Sequence, residues 1–280
     1  MFNLLKAGPL LGLAMRISAP VALTLAVNGC GATSTPPNDT TAIDSTGELI
    51  LIANGEDFMY DGITSKEGWD IEFEQVKVIL NDVTAYQSDP PYNPETDTTI
   101  TADQTVDLVT EPSPVTLTEA TAEEMVKVTQ KLDAPAGAYN ALGWKLTNLG
   151  EQPAIFLTGT ARKGGETVAF ELSFDHEVAY LCGEYVGDER KGILTADGSA
   201  EVEMTFHWDH IFGRADQAPE DEINTGALGF DPLAALAKEG RLVANLADLE
   251  SRLSAADYQA LTEALNNLGH VGEGHCRLKV

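Results

Sequence analysis

The chain has 280 residues and is strongly acidic, with 44 Asp and Glu residues against 17 Lys and Arg residues and a formal net charge of −27 at pH 7. A surface of this charge repels nucleic acid and anionic lipid, so the composition excludes both as direct partners of the polypeptide. Hydrophobic residues make up 43% of the chain, which is enough to bury a core. The length suits one large domain or two small ones.

The amino-terminal segment combines two isolated cations, Lys6 and Arg16, with a mostly apolar stretch over residues 17–27, and it contains no acidic residue. This is the layout of a secretory signal peptide, predicted here over residues 1–29. The segment ends in Val27-Asn28-Gly29-Cys30, which resembles the lipobox of a bacterial lipoprotein, although the Asn departs from the usual pattern. The resemblance implies that Cys30 becomes the acylated amino terminus, with palmitate as a typical chain. A plain signal peptide cleaved nearby and an uncleaved anchor are the alternatives.

Residues 30–46 are small and polar and predict a disordered tether between the acylated Cys30 and a folded domain. The acyl chains would supply the membrane affinity, since no later segment has the roughly twenty apolar residues of a spanning helix. We therefore predict an exported protein of the cell envelope that is held to a membrane through lipid. In a Gram-negative cell, Gly31 after the Cys favours the outer membrane or its periplasmic face.

Residues 47–228 are predicted to be mainly β, as one antiparallel β-sandwich or as two halves, 47–150 and 151–228. Strands are expected over residues 47–53, 70–86, 105–109, 115–117 and 139–146, with a turn at Ala134-Pro-Ala-Gly. In the long strand the apolar phase shifts near Glu74 and Gln75, which indicates a β-bulge. Residues 123–132 fit either a short helix or another strand.

Several short motifs in this region resemble a bacterial family of exported β-sandwich domains of unknown function. They are Gly47-Glu-Leu, the long strand over residues 70–86, Thr105-Val-Asp-Leu-Val and Ala134-Pro-Ala-Gly-Ala-Tyr. In that family a G-x-L strand opens the domain, a T-x-DL strand lies in the middle, and a PAG-x-Y turn leads into a late strand. The resemblance covers roughly residues 47–146. It implies a sandwich and a surface location, and it brings no catalytic residues.

Two strands of the second half are predicted to end in an Asp-His pair. The strands over residues 168–176 and 202–210 each place alternate apolar residues on one face. His207 would lie on the opposite face of the second strand, but a turn beginning at Asp209 would bring it toward His210.

The pattern changes to helix in the segment 229–280. One helix is predicted to open at Asp231-Pro, and a last helix to begin with Ser254 as its cap and to stop at Gly269. A Gly-rich tail that carries His270 and His275 follows, and it could fold back onto another part of the molecule.

All five histidines follow residue 175, and four of them lie in His207-Trp-Asp-His210 and His270-Val-Gly-Glu-Gly-His275. Two or three imidazoles with a carboxylate are a typical ligand set for transition metals. We therefore predict a site for a divalent transition metal, zinc or copper first. Its candidate ligands are His176, His207, His210, His270 and His275.

The same histidines could instead be structural or solvent-exposed. If the strands ending at His176 and His210 were antiparallel neighbours, these residues would lie on the order of 25 Å apart, from about 3.3 Å per residue, and could not share a metal. The adjacent Asp175 and Asp209 are candidates for orienting an imidazole from behind.

The remaining cysteines, Cys182 and Cys276, most simply form one disulfide in an oxidising compartment. Such a bond would tie the carboxyl-terminal tail to the middle of the domain. Metal binding by one or both thiolates is the alternative.

The sequence thus favours an envelope lipoprotein that binds a transition metal for capture, storage or delivery. The alternative is a non-catalytic adhesive or scaffold sandwich that binds a glycan or a protein, with calcium in acidic loops such as residues 89–97. We expect no enzyme activity, since the sequence lacks a G-x-S-x-G elbow, an HExxH helix, a P-loop and a GxGxxG motif. A metallohydrolase is the least supported class.

Overall fold

The computed structural model describes residues 45–183, 192–271 and 276–279. The predicted signal peptide, Cys30, most of the tether and His275 lie outside these residues. The described residues belong to one compact unit, Ile43–Val280. None of the helices in this part of the chain is long and apolar enough to cross a membrane.

The described chain is mainly β with a few short helices, which confirms the predicted fold class. The strands are β1 (Thr46–Asn54), β2 (Ile63–Thr64), β3 (Asp70–Gln87), β4 (Gln104–Val109), β5 (Ser113–Thr116), β6 (Val126–Pro135), β7 (Gly137–Ala138), β8 (Ala141–Leu146), β9 (Ile155–Lys163), β10 (Glu166–Phe174), β11 (Val178–Gly183), β12 (Ile193–Leu194), β13 (Ser199–Phe206), β14 (Arg241–Asn245), β15 (Gly269–His270) and β16 (Cys276–Leu278). The helices are α1 (Phe58–Asp61), α2 (Asp209–Phe212), α3 (Glu222–Gly226), α4 (Asp231–Ala234), α5 (Leu246–Arg252) and α6 (Ala255–Asn266), and a 3₁₀ turn spans Leu117–Glu119.

Two large sheets build the sandwich-like fold, and β7 and β12 pair as a separate two-stranded sheet. The first has four strands in the order β15-β13-β1-β6, and the second has ten, with the path β14-β10-β9-β3-β8-β11-β16 and with β2, β4 and β5 also paired to β3. The sheets are mixed, which corrects the expectation of a purely antiparallel sandwich. β1 runs parallel to β13, and β10 runs parallel to β14. Each parallel pair joins segments with a long connection between them, as parallel pairing requires.

The first half follows the predicted pattern closely. The register of β3 against β9 shifts between Phe73 and Gln75, so the predicted bulge is present. The undecided segment forms β6, the edge strand of the first sheet. The predicted turn begins later than expected, because Ala134 and Pro135 still belong to β6 and the chain bends at Ala136.

Aromatic side chains fill the space between the inner faces of the two sheets. Phe206 of β13 stacks on Trp144 of β8, with ring centroids 5.7 Å apart and planes 10° apart. Tyr180 of β11 meets the same Trp144 edge-on at 5.5 Å. All three side chains are buried, so they fix the end of β13 against the second sheet.

Helix α6 and the segment that follows it return the chain to both sheets. The Ser254 side chain accepts a hydrogen bond from the Asp257 N–H at 3.1 Å, which confirms the predicted cap. The helix ends at Asn266 rather than at Gly269, and Gly269 instead begins β15. A Cβ atom on Gly269 would lie 2.8 Å from Trp144 and 2.8 Å from Tyr180. Glycine is therefore needed here for close packing and not as a helix stop.

The predicted disulfide between Cys182 and Cys276 is present. It joins β11 to β16, and these two strands also pair side by side in the second sheet. The bond closes a sequence separation of 94 residues, so it ties the segment after β15 to the middle of the domain.

Candidate metal centre

Three histidines meet where β13 ends. The strand stops at Phe206, His207 follows it directly, and His210 is the second residue of the one-turn helix α2. His270 lies on β15, opposite Thr205 of β13. The end of β13, the helix α2 and the strand β15 thus bring three imidazoles to one end of the first sheet.

The sequence predicted a strand through His210, and this prediction is wrong beyond Phe206. The His210 N–H donates to the His207 carbonyl at 3.2 Å, and the Gly213 N–H donates to the Asp209 carbonyl at 2.7 Å. The chain therefore turns at this point, which buries Ile211 with its neighbour Phe212. The turn places His207 and His210 on the same side. A turn at Asp209 that brings these two residues together was the alternative considered from the sequence.

The three imidazoles lie within reach of one ion. The ring centroid of His270 lies 4.1 Å from that of His207 and 5.1 Å from that of His210, and the His207 and His210 centroids are 5.9 Å apart. One ring nitrogen from each residue lies within 4.8 Å of the others. His270 is 7% exposed, and the His207 side chain is 12% exposed. The centre is thus nearly enclosed.

Backbone contacts hold this geometry from both sides. The His207 N–H donates to the Leu268 carbonyl at 3.0 Å, which ties the end of β13 to the residue before β15. Leu268 and Val271, on either side of β15, are buried. His270 is therefore placed by packing and by strand pairing together.

Glu56 approaches His207 from the end of β1. Its Oε2 lies 3.8 Å from His207 Nδ1. Its backbone has a φ of 62°, and its N–H donates to Asn54 Oδ1 at 2.7 Å. Asn54 Nδ2 in turn donates to Oε1 of the buried Glu203 at 2.7 Å. The Glu56 backbone is thus held by a chain of hydrogen bonds that begins at Glu203 in β13.

These contacts suggest which nitrogen of two imidazoles would bind a metal. The Glu56 carboxylate lies 3.8 Å from His207 Nδ1, beyond hydrogen-bond distance, so only its negative charge favours a proton on that nitrogen. We therefore expect Nε2 to be the metal-binding nitrogen of His207. His270 Nε2 lies 3.1 Å from the Asn267 carbonyl oxygen, which is only an acceptor. His270 is therefore expected to hold its proton on Nε2 and to bind through Nδ1.

A second set of donor atoms overlaps the first at His207. The side chains of Glu56, His207 and Asp209 also place one ligand atom each within 4.8 Å of one another. Asp209 is 5% exposed, and its Oδ1 has no hydrogen-bond partner among the described residues. Two carboxylates thus flank one side of the three-histidine cluster.

Arg214 is a cation that interacts electrostatically with these carboxylates. Its guanidinium binds both oxygens of Asp216, at 2.9 Å and 2.8 Å. The pKa of Arg214 is raised, first by these hydrogen bonds to Asp216 and further by the negative charges of Asp209 and Glu56. One positive charge is therefore shared among three carboxylates.

An open cleft of about 390 Å³ lies beside the centre. Glu56 and Arg214 line it, together with Asn54, Asp57, Tyr60 and residues 120–125. Glu56 belongs both to this cleft and to the donor group around His207. The acidic lining of the cleft attracts cations.

His176, another of the sequence candidates, lies elsewhere. His176 follows β10, and its Nε2 lies 2.8 Å from Asn266 Oδ1. It belongs to neither group of donor atoms among the described residues. The strands β10 and β13 are in different sheets, so the antiparallel pairing considered for their ends does not occur. His275 lies outside the described residues.

Glu56 was missed by the sequence reasoning. It lies about 150 residues before His207 and is one of 44 acidic residues. Its only local peculiarity is the left-handed backbone, which the sequence does not announce, since the neighbouring Gly55 is the residue a turn prediction would choose.

Comparisons with protein-family models, with curated proteins and with solved structures found no match. Functional conclusions for this chain therefore depend on its own geometry. The geometry shows a histidine cluster that could hold a metal ion. Imidazole suits zinc and copper, and three protein ligands leave a further coordination position open.

Proposed function

We propose that this protein is a lipid-anchored protein of the cell envelope that binds one divalent transition metal, zinc or copper, through His207, His210 and His270. The observation that carries the proposal is the convergence of three imidazoles from three segments, with donor nitrogens within 4.8 Å of one another. Capture, storage or delivery of the ion is the role that such a centre serves.

The donor distances are compatible with a bound metal. In a tetrahedral zinc site with bonds of roughly 2.0–2.1 Å, the ligand nitrogens lie roughly 3.3 Å apart. The nitrogens of the three imidazoles lie within 4.8 Å, so small side-chain rotations bring them into range. The carboxylate of Glu56 behind His207 is the kind of partner that metal-bound imidazoles commonly have.

Two further observations support export and anchoring. The lipobox-like Val27-Asn28-Gly29-Cys30 follows a segment with signal-peptide layout. The disulfide between Cys182 and Cys276 suits an oxidising compartment, where such bonds persist. A metal centre on a lipid tether would take up or release its ion at a membrane surface.

The test is metal retention by the protein purified without a His tag, incubated with mixed zinc, copper, nickel, iron and calcium, and desalted. We expect about one equivalent of a transition metal in the wild type and none in the His207→Ala/His210→Ala double variant, since removal of two of three ligands leaves one imidazole. Elemental analysis measures both.

The matched control is His176→Ala, which removes an imidazole outside the cluster and should keep the metal. Thermal unfolding of all variants checks that they fold. Retention of calcium alone, or retention of the same transition metal by the double variant, would contradict the proposal.

A further inference from the structure

Asp209 has an unusual environment for an ionisable side chain. It is 5% exposed, and its Oδ1 has no hydrogen-bond partner among the described residues. Buried carboxylates are ordinarily paired or bound to metal, because an unpaired buried charge is strongly unfavourable. The carboxylate nonetheless lies in the donor group with Glu56 and His207. Its position is explained if a cation binds beside it.

The charges around the centre do not cancel without an ion. Arg214 is shared among Asp209, Glu56 and Asp216, and its two close contacts both go to Asp216. Because the guanidinium makes both close contacts to Asp216, it compensates only part of the negative charge of Asp209 and Glu56. A dication in the histidine cluster compensates more of this charge than a monocation does.

We infer that Asp209 is the residue that makes the three-histidine centre prefer a divalent ion over a monovalent one. This inference rests on the proposed function, since it names the charge class of the ion held at the same site. Asp209 acts through its charge from a position next to the histidine cluster. The three imidazoles remain the ligands of the ion.

The loss of affinity on removing the Asp209 charge should depend on the charge of the ion. The attraction between a carboxylate and an ion is proportional to the charge of the ion. Removing that carboxylate therefore lowers the affinity for a dication by twice as many powers of ten as the affinity for a monocation. A residue that only shapes the site would lower both affinities by the same factor.

The experiment compares Zn²⁺ with Ag⁺ in the wild type and in Asp209→Asn, a variant that removes the charge and keeps the shape. Silver is chosen because it stays monovalent without a reductant, so the disulfide remains intact. Partners just outside a metal's ligands typically change affinity by about 10- to 100-fold. We expect a roughly 100-fold weaker Zn²⁺ affinity to accompany only an about tenfold weaker Ag⁺ affinity. Competition titrations with a chelating dye measure both.

Asp57→Asn is the matched control, because Asp57 is exposed and lines the same cleft but lies in neither donor group. It should change neither affinity by more than about twofold. Arg214→Gln removes a positive charge, so it should change the ion preference in the opposite direction to Asp209→Asn. It also provides a test if Asp209→Asn does not fold. Without the guanidinium, the preference for Zn²⁺ over Ag⁺ should rise.

For copper, each tenfold change in the ratio of divalent to monovalent affinity corresponds to about 59 mV in the reduction potential. The potential of copper bound to Asp209→Asn should therefore become more positive. Equal losses for Zn²⁺ and Ag⁺, or no loss for either, would overturn the role of Asp209 while leaving the metal site intact. If the wild type binds neither ion, the proposed function itself fails.

Discussion

His207 and His270 present different nitrogens to the centre, because their other nitrogens face different acceptors. Nδ1 of His207 faces the Glu56 carboxylate, and Nε2 of His270 faces the Asn267 carbonyl. In His270 the nitrogen that is hydrogen-bonded to the carbonyl holds the proton, and in His207 the carboxylate charge favours a proton on Nδ1. The proposed ligand set is thus mixed, with one imidazole binding through Nε2 and another through Nδ1.

This assignment predicts the long-range ¹H–¹⁵N NMR spectrum of the zinc-loaded protein. We expect the zinc-dependent shift of the coordinated nitrogen at Nε2 of His207 and at Nδ1 of His270. In Glu56→Gln, whose amide can donate as well as accept, the tautomer of His207 should become mixed and the zinc affinity should fall by about 10- to 100-fold. Coordination of His270 through Nε2 would refute the role of the Asn267 carbonyl.

At the scale of residues, the sequence predicts which residue types could bind a metal better than it predicts which of them lie together. The histidine pattern includes the three residues that meet, because four of the five histidines lie in the two short segments 207–210 and 270–275. It gives no means of separating His176 from them, because a His after a regular strand has the same local pattern whether it binds a metal or an Asn side chain. Glu56 has no pattern at all, since only the fold brings β1 beside β13.

Among the elements, the two-residue strand β15 decides whether the centre is complete. Its pairing with β13 positions His270, and Gly269 allows this strand to lie against Trp144 and Tyr180. The strand is too short to hold its place by hydrogen bonds alone. Close packing of the glycine backbone on two aromatic rings therefore contributes to the metal centre.

Gly269→Ala should weaken metal retention and lower the free energy of unfolding by about 1–3 kcal/mol, because the added methyl overpacks a full core. Gly226→Ala is the matched control, since a Cβ atom there meets nothing within 4 Å. Urea unfolding and elemental analysis measure the two effects. Full metal content and unchanged stability in Gly269→Ala would show that β15 tolerates displacement.

The long strands were predictable, and the turn after β13 was not. Alternation of apolar and polar residues marks β3 and β10, because their two faces meet different surroundings. The same alternation continues past Phe206 through Trp208 to His210, although the backbone has already turned into α2. Gly213, with a φ of 66°, ends that turn and is its clearest mark in the sequence.

On the scale of the whole molecule, the pairing of the sheets was beyond sequence reasoning. β1 pairs in parallel with β13 from Glu48 opposite Ser199 to Asn54 opposite Thr205, across about 150 residues. Nothing local specifies such a partner, because any buried strand offers the same hydrogen-bonding edge. The disulfide was the exception, since two cysteines in a domain that we predict to be exported leave one simple pairing.

Anchoring of the whole molecule is testable through Cys30. We expect Cys30→Ser to move the protein from the detergent phase to the aqueous phase in detergent partitioning, because each buried CH₂ of an acyl chain contributes about 0.8 kcal/mol of membrane affinity and the acidic polypeptide contributes none. The variant should keep its metal, which separates the two parts of the proposal. A variant that stays in the detergent phase would point to a different anchor.

The segment after α6 contacts both sheets in turn, through β15 on the first and β16 on the second, with the disulfide at its far end. A chain in which this segment has not docked would hold His207 and His210 without His270. An ion bound by all three would therefore report that β15 has paired with β13. If the proposed ion bound the native chain alone, a concentration about 100 times its dissociation constant would add about 2.7 kcal/mol to native stability, so metal uptake and completion of the fold would become one event.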